Sequence, residues 1–198
     1  VLYRECEGHP LRGPNDIVFD QTGGFWFTDI GKTHGRVKHE GGLYYARTDG
    51  SQIREAVFSL DSANGVGLSP DENTVYVADS GSARLWGFSL AGPGEIKGRA
   101  ATSQRNFVAG LAGHQFFDSL AVDSAGHICV ATISNGGITR ISPDGGEIAH
   151  VPTDDVMTTN ICFGGEKLGT AYITLSSSGR LVATEWAVPG LPQNFLNT

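Results

Sequence analysis

Apolar and polar positions alternate over short runs along most of this chain, with a turn every few residues. IVF is followed by QTGG and then FWF; VGL by SPDEN and then VYVA; LAV by DSAGH and then ICVAT; ICF by GGEKLG and then AYITL. Each pair reads as two strands joined by a tight turn, rich in β-branched and aromatic residues and punctuated by Gly, Asp, Asn or Pro. Further runs of the same kind lie between the pairs. They are GGLYYARTDG with IREAVFSL, RLWGFSL with GEIKGRAA, GGITRISPDG with EIAHVP, and a final RLVATEW. No stretch carries a helical period.

The pairs recur every ~40–50 residues, and each unit holds about four short strands, which is the pattern of propeller blades set around a central channel. The expected fold is an all-β propeller in one domain over residues 1–198. Every unit also starts alike. A polar residue stands directly before the first strand: Asn15 (with Asp16), Asn64, Asp118 and Asn160. First strands of blades line the channel, so these residues are expected at its mouth. Three amides and a carboxylate converging there suit a hard cation such as Ca2+. Singly, each also suits ordinary turn chemistry, an Asn or Asp side chain bonding a nearby backbone amide.

Composition narrows the field. The 198 residues include 28 glycines, in keeping with many tight turns, and no run of ~18 apolar residues that a membrane-spanning helix needs. A net charge of −7 argues against nucleic-acid or anionic-membrane partners. Three widely spaced cysteines, Cys6, Cys129 and Cys162, fit reduced thiols and a cytoplasmic setting better than a disulfide framework. HExxH and Gly-x-Ser-x-Gly are both absent, which disfavours the familiar zinc and serine hydrolases. Trp26, Trp86 and Trp186 are expected in strands, as core or inter-blade packing.

The segments GPND, FWFTD, GGLYYARTDG, NGVGLSPDENTVYVAD, FDSLAVDSAGHICVAT and TTNICFGG, with the ending EWAVPGLPQNF, resemble the SMP-30/gluconolactonase/luciferin-regenerating-enzyme family over residues 12–195. The resemblance implies a six-bladed propeller with a divalent metal on its axis, Ca2+ or else Zn2+, Mn2+ or Mg2+, and hydrolysis of a small-molecule lactone or ester. By that resemblance Asn64 and Asp118 match metal ligands. Asn15 matches a residue beside the ion, holding it, substrate or a bound water. Asp16 lies on the substrate side, and Asp118 doubles as the base. His34, in the loop after FWFTD, is a candidate substrate contact; Lys32, Arg36 and Lys38 of that loop read most simply as a solvated basic run, and alternatively as a feature favouring an anionic substrate. Two departures stand out. Gly13 occupies a position where some relatives carry an Arg, and an early metal-ligating Glu has no counterpart.

The chain opens inside what would be the second blade. About four and a half blades of six are therefore expected, the ring being completed by self-association, a second chain or a preceding segment, with a complete C-terminal end. Two other readings share the architecture: a non-catalytic propeller that binds a small molecule or protein, and a phosphotriesterase-like or strictosidine-synthase-like enzyme.

Overall fold

In the computed structural model, which describes residues 1–98 and 100–196, every regular element is a strand. A small ribbon of β1 (Glu5–Cys6) and β2 (His9–Pro10) leads into the first blade. That blade comprises β3 (Pro14–Phe19), β4 (Gly24–Asp29), β7 (Gly41–Arg47) and β8 (Ile53–Leu60), paired antiparallel in that order. A second ribbon, β5 (Thr33–His34) and β6 (Val37–Lys38), projects from the connection between β4 and β7. The second blade holds β9 (Ala63–Leu68), β10 (Thr74–Asp79) and β11 (Arg84–Gly92). Both β12 (Glu95–Ile96) and β13 (Phe107–Gly110) pair with β11. The third runs β14 (Phe116–Val122), β15 (Ile128–Ile133), β16 (Gly137–Ile141) and β17 (Ile148–Pro152). The fourth has three strands, β18 (Thr158–Gly164), β19 (Thr170–Leu175) and β20 (Arg180–Glu185).

The hairpins expected from the repeat are β3–β4, β9–β10, β14–β15 and β18–β19, and β3, β9, β14 and β18 lie side by side as inner strands. All-β architecture in a propeller-like arrangement of four blades follows. Two elements differ from expectation. The outer strand of the second blade is not the run GEIKGRAA, where only Glu95–Ile96 pairs and Arg99 lies outside the described residues. It is Phe107–Gly110, whose Phe107 faces Trp86 at a ring distance of 6.0 Å. Glycines on either side of Glu95–Lys97 bend that run away after two residues, Gly94 and Gly98 both having positive φ. Trp186 lies one residue past β20 and packs on Phe163 at 6.1 Å.

Alternation within strands puts apolar side chains between neighbouring blades. Trp26, Leu43, Val66, Val77 and Phe88 fill the space between the first two blades. Leu85, Phe117, Leu120 and Ile128 fill the next, and Cys129, Ile138, Ile161 and Ile173 the last. The far face of the first blade, with Phe25, Phe27 and Tyr44, is covered in part by the N-terminal residues Tyr3, Cys6 and Leu11. Cys6 and Cys129 are buried and Cys162 is exposed, all three as free thiols.

Candidate functional site

Each inner strand carries one extra residue near its start, and the site is built on these bulges. Pro14 pairs with Asp29 and Ile17 with Phe27, so the stretch across Asn15–Asp16 is one residue longer than its partner. The same offset recurs at Asn64–Gly65, at Asp118–Ser119 and at Thr159–Asn160. A bulge bends its strand and re-aims side chains that a regular pleat would send to alternate faces. Asn15, Asn64 and Asp118 thus share one register, as the sequence pattern implied. In the fourth blade that register belongs to Thr159, and Asn160 stands one residue later, beside Asp16, Gly65 and Ser119.

The four inner strands line a channel of ≈ 340 Å3, with Asp16, Val66, Leu120 and Asn160 on its wall and Leu191 and Asn194 across it. Asp16 is half-buried. Its carboxylate accepts from the amides of Ile17 at 2.9 Å and Val66 at 3.3 Å. Burial raises its pKa, opposed by those two amides and by the Ser119 hydroxyl. Burial likewise pushes Asp118 up to about 6, with a further push from the charge on Asp16, against hydrogen bonds from the Asn64 side chain and the Ser119 amide. Two carboxylates from different blades therefore face each other through Asn64 and Ser119, and each is less comfortable ionised than in water.

Asn64 is buried at 5% exposure, and its Nδ2 donates to Ser80 Oγ at 3.0 Å. Its Oδ1 is buried with no hydrogen-bond partner. An unpartnered amide oxygen in a site with two carboxylates is an all-oxygen donor set of the kind a hard cation fits. Among the described residues, no group of three or more His, Cys, Asp or Glu gathers at one point, so such a site would depend on this amide. Asn15 is exposed, and no hydrogen bond joins it to the other three. His34 sits exposed on the β5–β6 ribbon, edge-on to His39 at 6.1 Å, equally without such a bond.

Three residues escaped the sequence reading. Thr28, fully buried near the end of β4, receives the Asp16 amide at 3.2 Å and donates to the Asn64 carbonyl. Ser80, just after β10, receives Asn64 Nδ2 and donates to the Phe117 carbonyl at 2.5 Å. Each hydroxyl ties one blade's second strand to the next blade's inner strand. The third is Ser119, the hydroxyl against Asp16. Another repeated signal was present: FWFTD and VYVAD both end in Asp. Asp29 accepts the amides of Arg12 and Gly13, at 2.5 and 2.8 Å, and Asp79 accepts those of Asp61 and Ser62, at 3.2 and 2.9 Å. These carboxylates hold the chain as it enters the inner strand.

A family profile described as "SMP-30/Gluconolactonase/LRE-like region" matches residues 1–177. A gluconolactonase from Zymomonas mobilis is 32% identical over 93% of this chain and 54% of its own length. A 6-deoxy-6-sulfogluconolactonase from Pseudomonas putida is 31% identical over 89% of this chain and 59% of its own. Lactonase drp35 from Staphylococcus saprophyticus is 32% identical over 69% and 41%. The chain thus spans about half the length of the relatives it matches. Among solved structures, a gluconolactonase from Xanthomonas campestris superposes with a TM-score of 0.73 at 24% identity, over 96% of this chain and 61% of that one. Regucalcin, a calcium-binding protein from Agrobacterium tumefaciens, gives 0.72 at 22%, over 91% and 63%. The repeated hairpins, the bulged inner strands and these matches agree: the chain belongs to the SMP-30/gluconolactonase/LRE-like family.

Proposed function

We propose that these four blades form part of a six-bladed lactonase, with Ca2+ or a similar divalent ion held at the channel mouth. The observation that carries the reading is the meeting of Asp118, Asp16 and the unpartnered Oδ1 of Asn64 on three neighbouring bulges. The blade count is supported by the coverage, since four blades account for 61–63% of the two solved relatives.

Asn64 and Asp118 would hold the ion, with Asn15 beside it. When bound, calcium supplies Lewis acidity to an acyl carbonyl and relieves the repulsion between the two carboxylates. Asp118 acts as general base. One carboxylate oxygen would stay on the ion while the other accepts a proton from water. The water oxygen bonds to the acyl carbon as that proton passes to Asp118. The ring C–O bond then breaks, and Asp118 returns the proton to the departing ring oxygen. Asn15 orients the carbonyl or the water, Asp16 bounds the substrate side, and His34 contacts substrate from the ribbon.

The test is a lactone panel assayed with Ca2+ and with a chelator, on the parent and on Asp118→Asn. Turnover that needs the cation and falls at least ~100-fold in the variant is expected, the range typical of losing a positioned base. Undiminished turnover in Asp118→Asn overturns the mechanism. Binding without turnover of any lactone favours a non-catalytic propeller.

A further inference from the structure

The connection between β4 and β7 carries Lys32, His34, Arg36, Lys38 and His39, on a chain whose net charge is −7. It leaves β4 at Asp29, opposite Pro14 at the start of β3, and so lies at the same end of the channel as Asp16. It is also tied to that end, because the Ile30 amide donates to the Gly13 carbonyl at 3.0 Å. Lys38 is neutralised by Asp61. Lys32 has no ion pair among the described residues.

Lys32 also lies against the chain that enters the bulge. A Cβ built on Gly13 would lie 3.5 Å from Cε of Lys32, so the lysine stem runs over the bare backbone of Gly13. Gly13 stands two residues before Asn15 and three before Asp16, roughly 7–10 Å along extended chain. The stem rests on protein while the ammonium stays in water, an arrangement long cations favour. A group held at Lys32 would thus lie beside the start of β3, at the end of the channel where Asp16 stands. The surroundings repel anions, from the net charge down to the Asp16–Asp118 pair. An unpaired cation at this edge reverses that sign locally.

We propose that Lys32 is a specificity residue that selects lactones bearing an anionic substituent, such as a carboxylate, sulfonate or phosphate. The proposal rests on the lactonase reading for its ring and on the Gly13–Lys32 contact for its charge. Binding of stable lactams separates the two. The probes are 6-oxopiperidine-2-carboxylate and its neutral parent, 2-piperidone, measured by calorimetry with Ca2+ present.

The carboxylate is expected to bind ~5–10-fold more tightly than the neutral lactam, a preference that weakens at high salt as an exposed ion pair does. Lys32→Gln abolishes the preference, Lys32→Arg restores it, and Lys38→Gln leaves it intact. Equal binding of the two lactams, a preference that survives Lys32→Gln, or binding of neither overturns the proposal. If lactones are turned over without such a preference, the lactonase reading stands and only Lys32's role falls. If the preference holds and no lactone is turned over, Lys32's role stands and the hydrolysis reading falls.

Discussion

At the scale of single residues, the site is held in tension by groups that fold less well than simpler ones would. Asp118 is raised to about 6 chiefly by burial, so at neutral pH its ionised form costs stability. For a carboxylate whose folded pKa lies above its unfolded value, the favourable contribution is present at low pH and is lost as pH rises through the folded pKa. Asp118→Asn removes that charge at nearly constant shape. Without divalent cations the variant is expected to be more stable than the parent at pH 7.5, by on the order of 1 kcal/mol after solvent screening. Thermal melts read this directly, and a variant less stable than the parent contradicts it. Gly65 works the other way. A Cβ there would stand 2.7 Å from the Leu120 amide nitrogen and 2.8 Å from the Asp118 carbonyl oxygen. Neither backbone atom can swing aside, so Gly65→Ala is expected to cost about 1–3 kcal/mol or more. It should also spoil the site, visible as a lower urea midpoint together with lost turnover.

At the scale of elements, the hairpins were legible because apolar alternation and Gly, Asp and Pro turns are local signals. The bulges were not. A bulge is a mismatch between two strands, and a polar pair before an apolar run shows only one of them. That is why the sequence pattern places Asn160 with Asn64, while pairing gives the equivalent place to Thr159. The outer strand of the second blade failed for a related reason. FVAG is only four residues long and ends on a glycine, and only its pairing with Arg84–Trp86 makes it a strand. Asp155 illustrates what an element boundary can carry. It accepts the Met157 and Ser178 amides, both at 2.8 Å, and the Ser178 hydroxyl at 2.6 Å, fastening the entry to β18 against the β19–β20 turn. These bonds, the Ser178 hydroxyl first, hold its pKa well below the usual carboxylate range. A depressed folded pKa contributes stability that is present above the unfolded value near 4 and lost as pH falls through the folded one. Asp155→Asn should therefore melt several degrees below the parent at neutral pH, and the gap should close in acid. A gap independent of pH would show that charge is not the cause.

At the scale of the whole molecule, four blades in an arc need ties beyond the packing between neighbours. At the channel mouth, Thr28 and Ser80 link successive inner strands through their hydroxyls. Across the other end runs the tail after β20, which touches every blade. The Pro189 carbonyl accepts from Ser124 and the Leu191 amide donates to Val122, both on the third blade, while Gly190 donates to Leu168 on the fourth. Asn194 Nδ2 then reaches the Phe19 carbonyl of the first blade at 2.9 Å and the Glu72 carboxylate of the second at 2.5 Å. Glu72 in turn accepts the Gln21 amide at 3.1 Å, so one side chain knots two blades and the tail. Such a strap matters most where a few contacts span the greatest sequence distance, since their loss frees whole blades rather than single side chains. Asn194→Ala removes two hydrogen bonds, one to a charged group, and is expected to cost about 1–3 kcal/mol. Ending the chain after Gly190 should cost more, and should also uncover Leu120 and Val122 on the channel wall. Urea unfolding measures the first effect and binding of an apolar dye the second. If Asn194→Ala and the shortened chain both melt with the parent and bind no extra dye, the tail is a passenger, and inter-blade packing alone holds the arc.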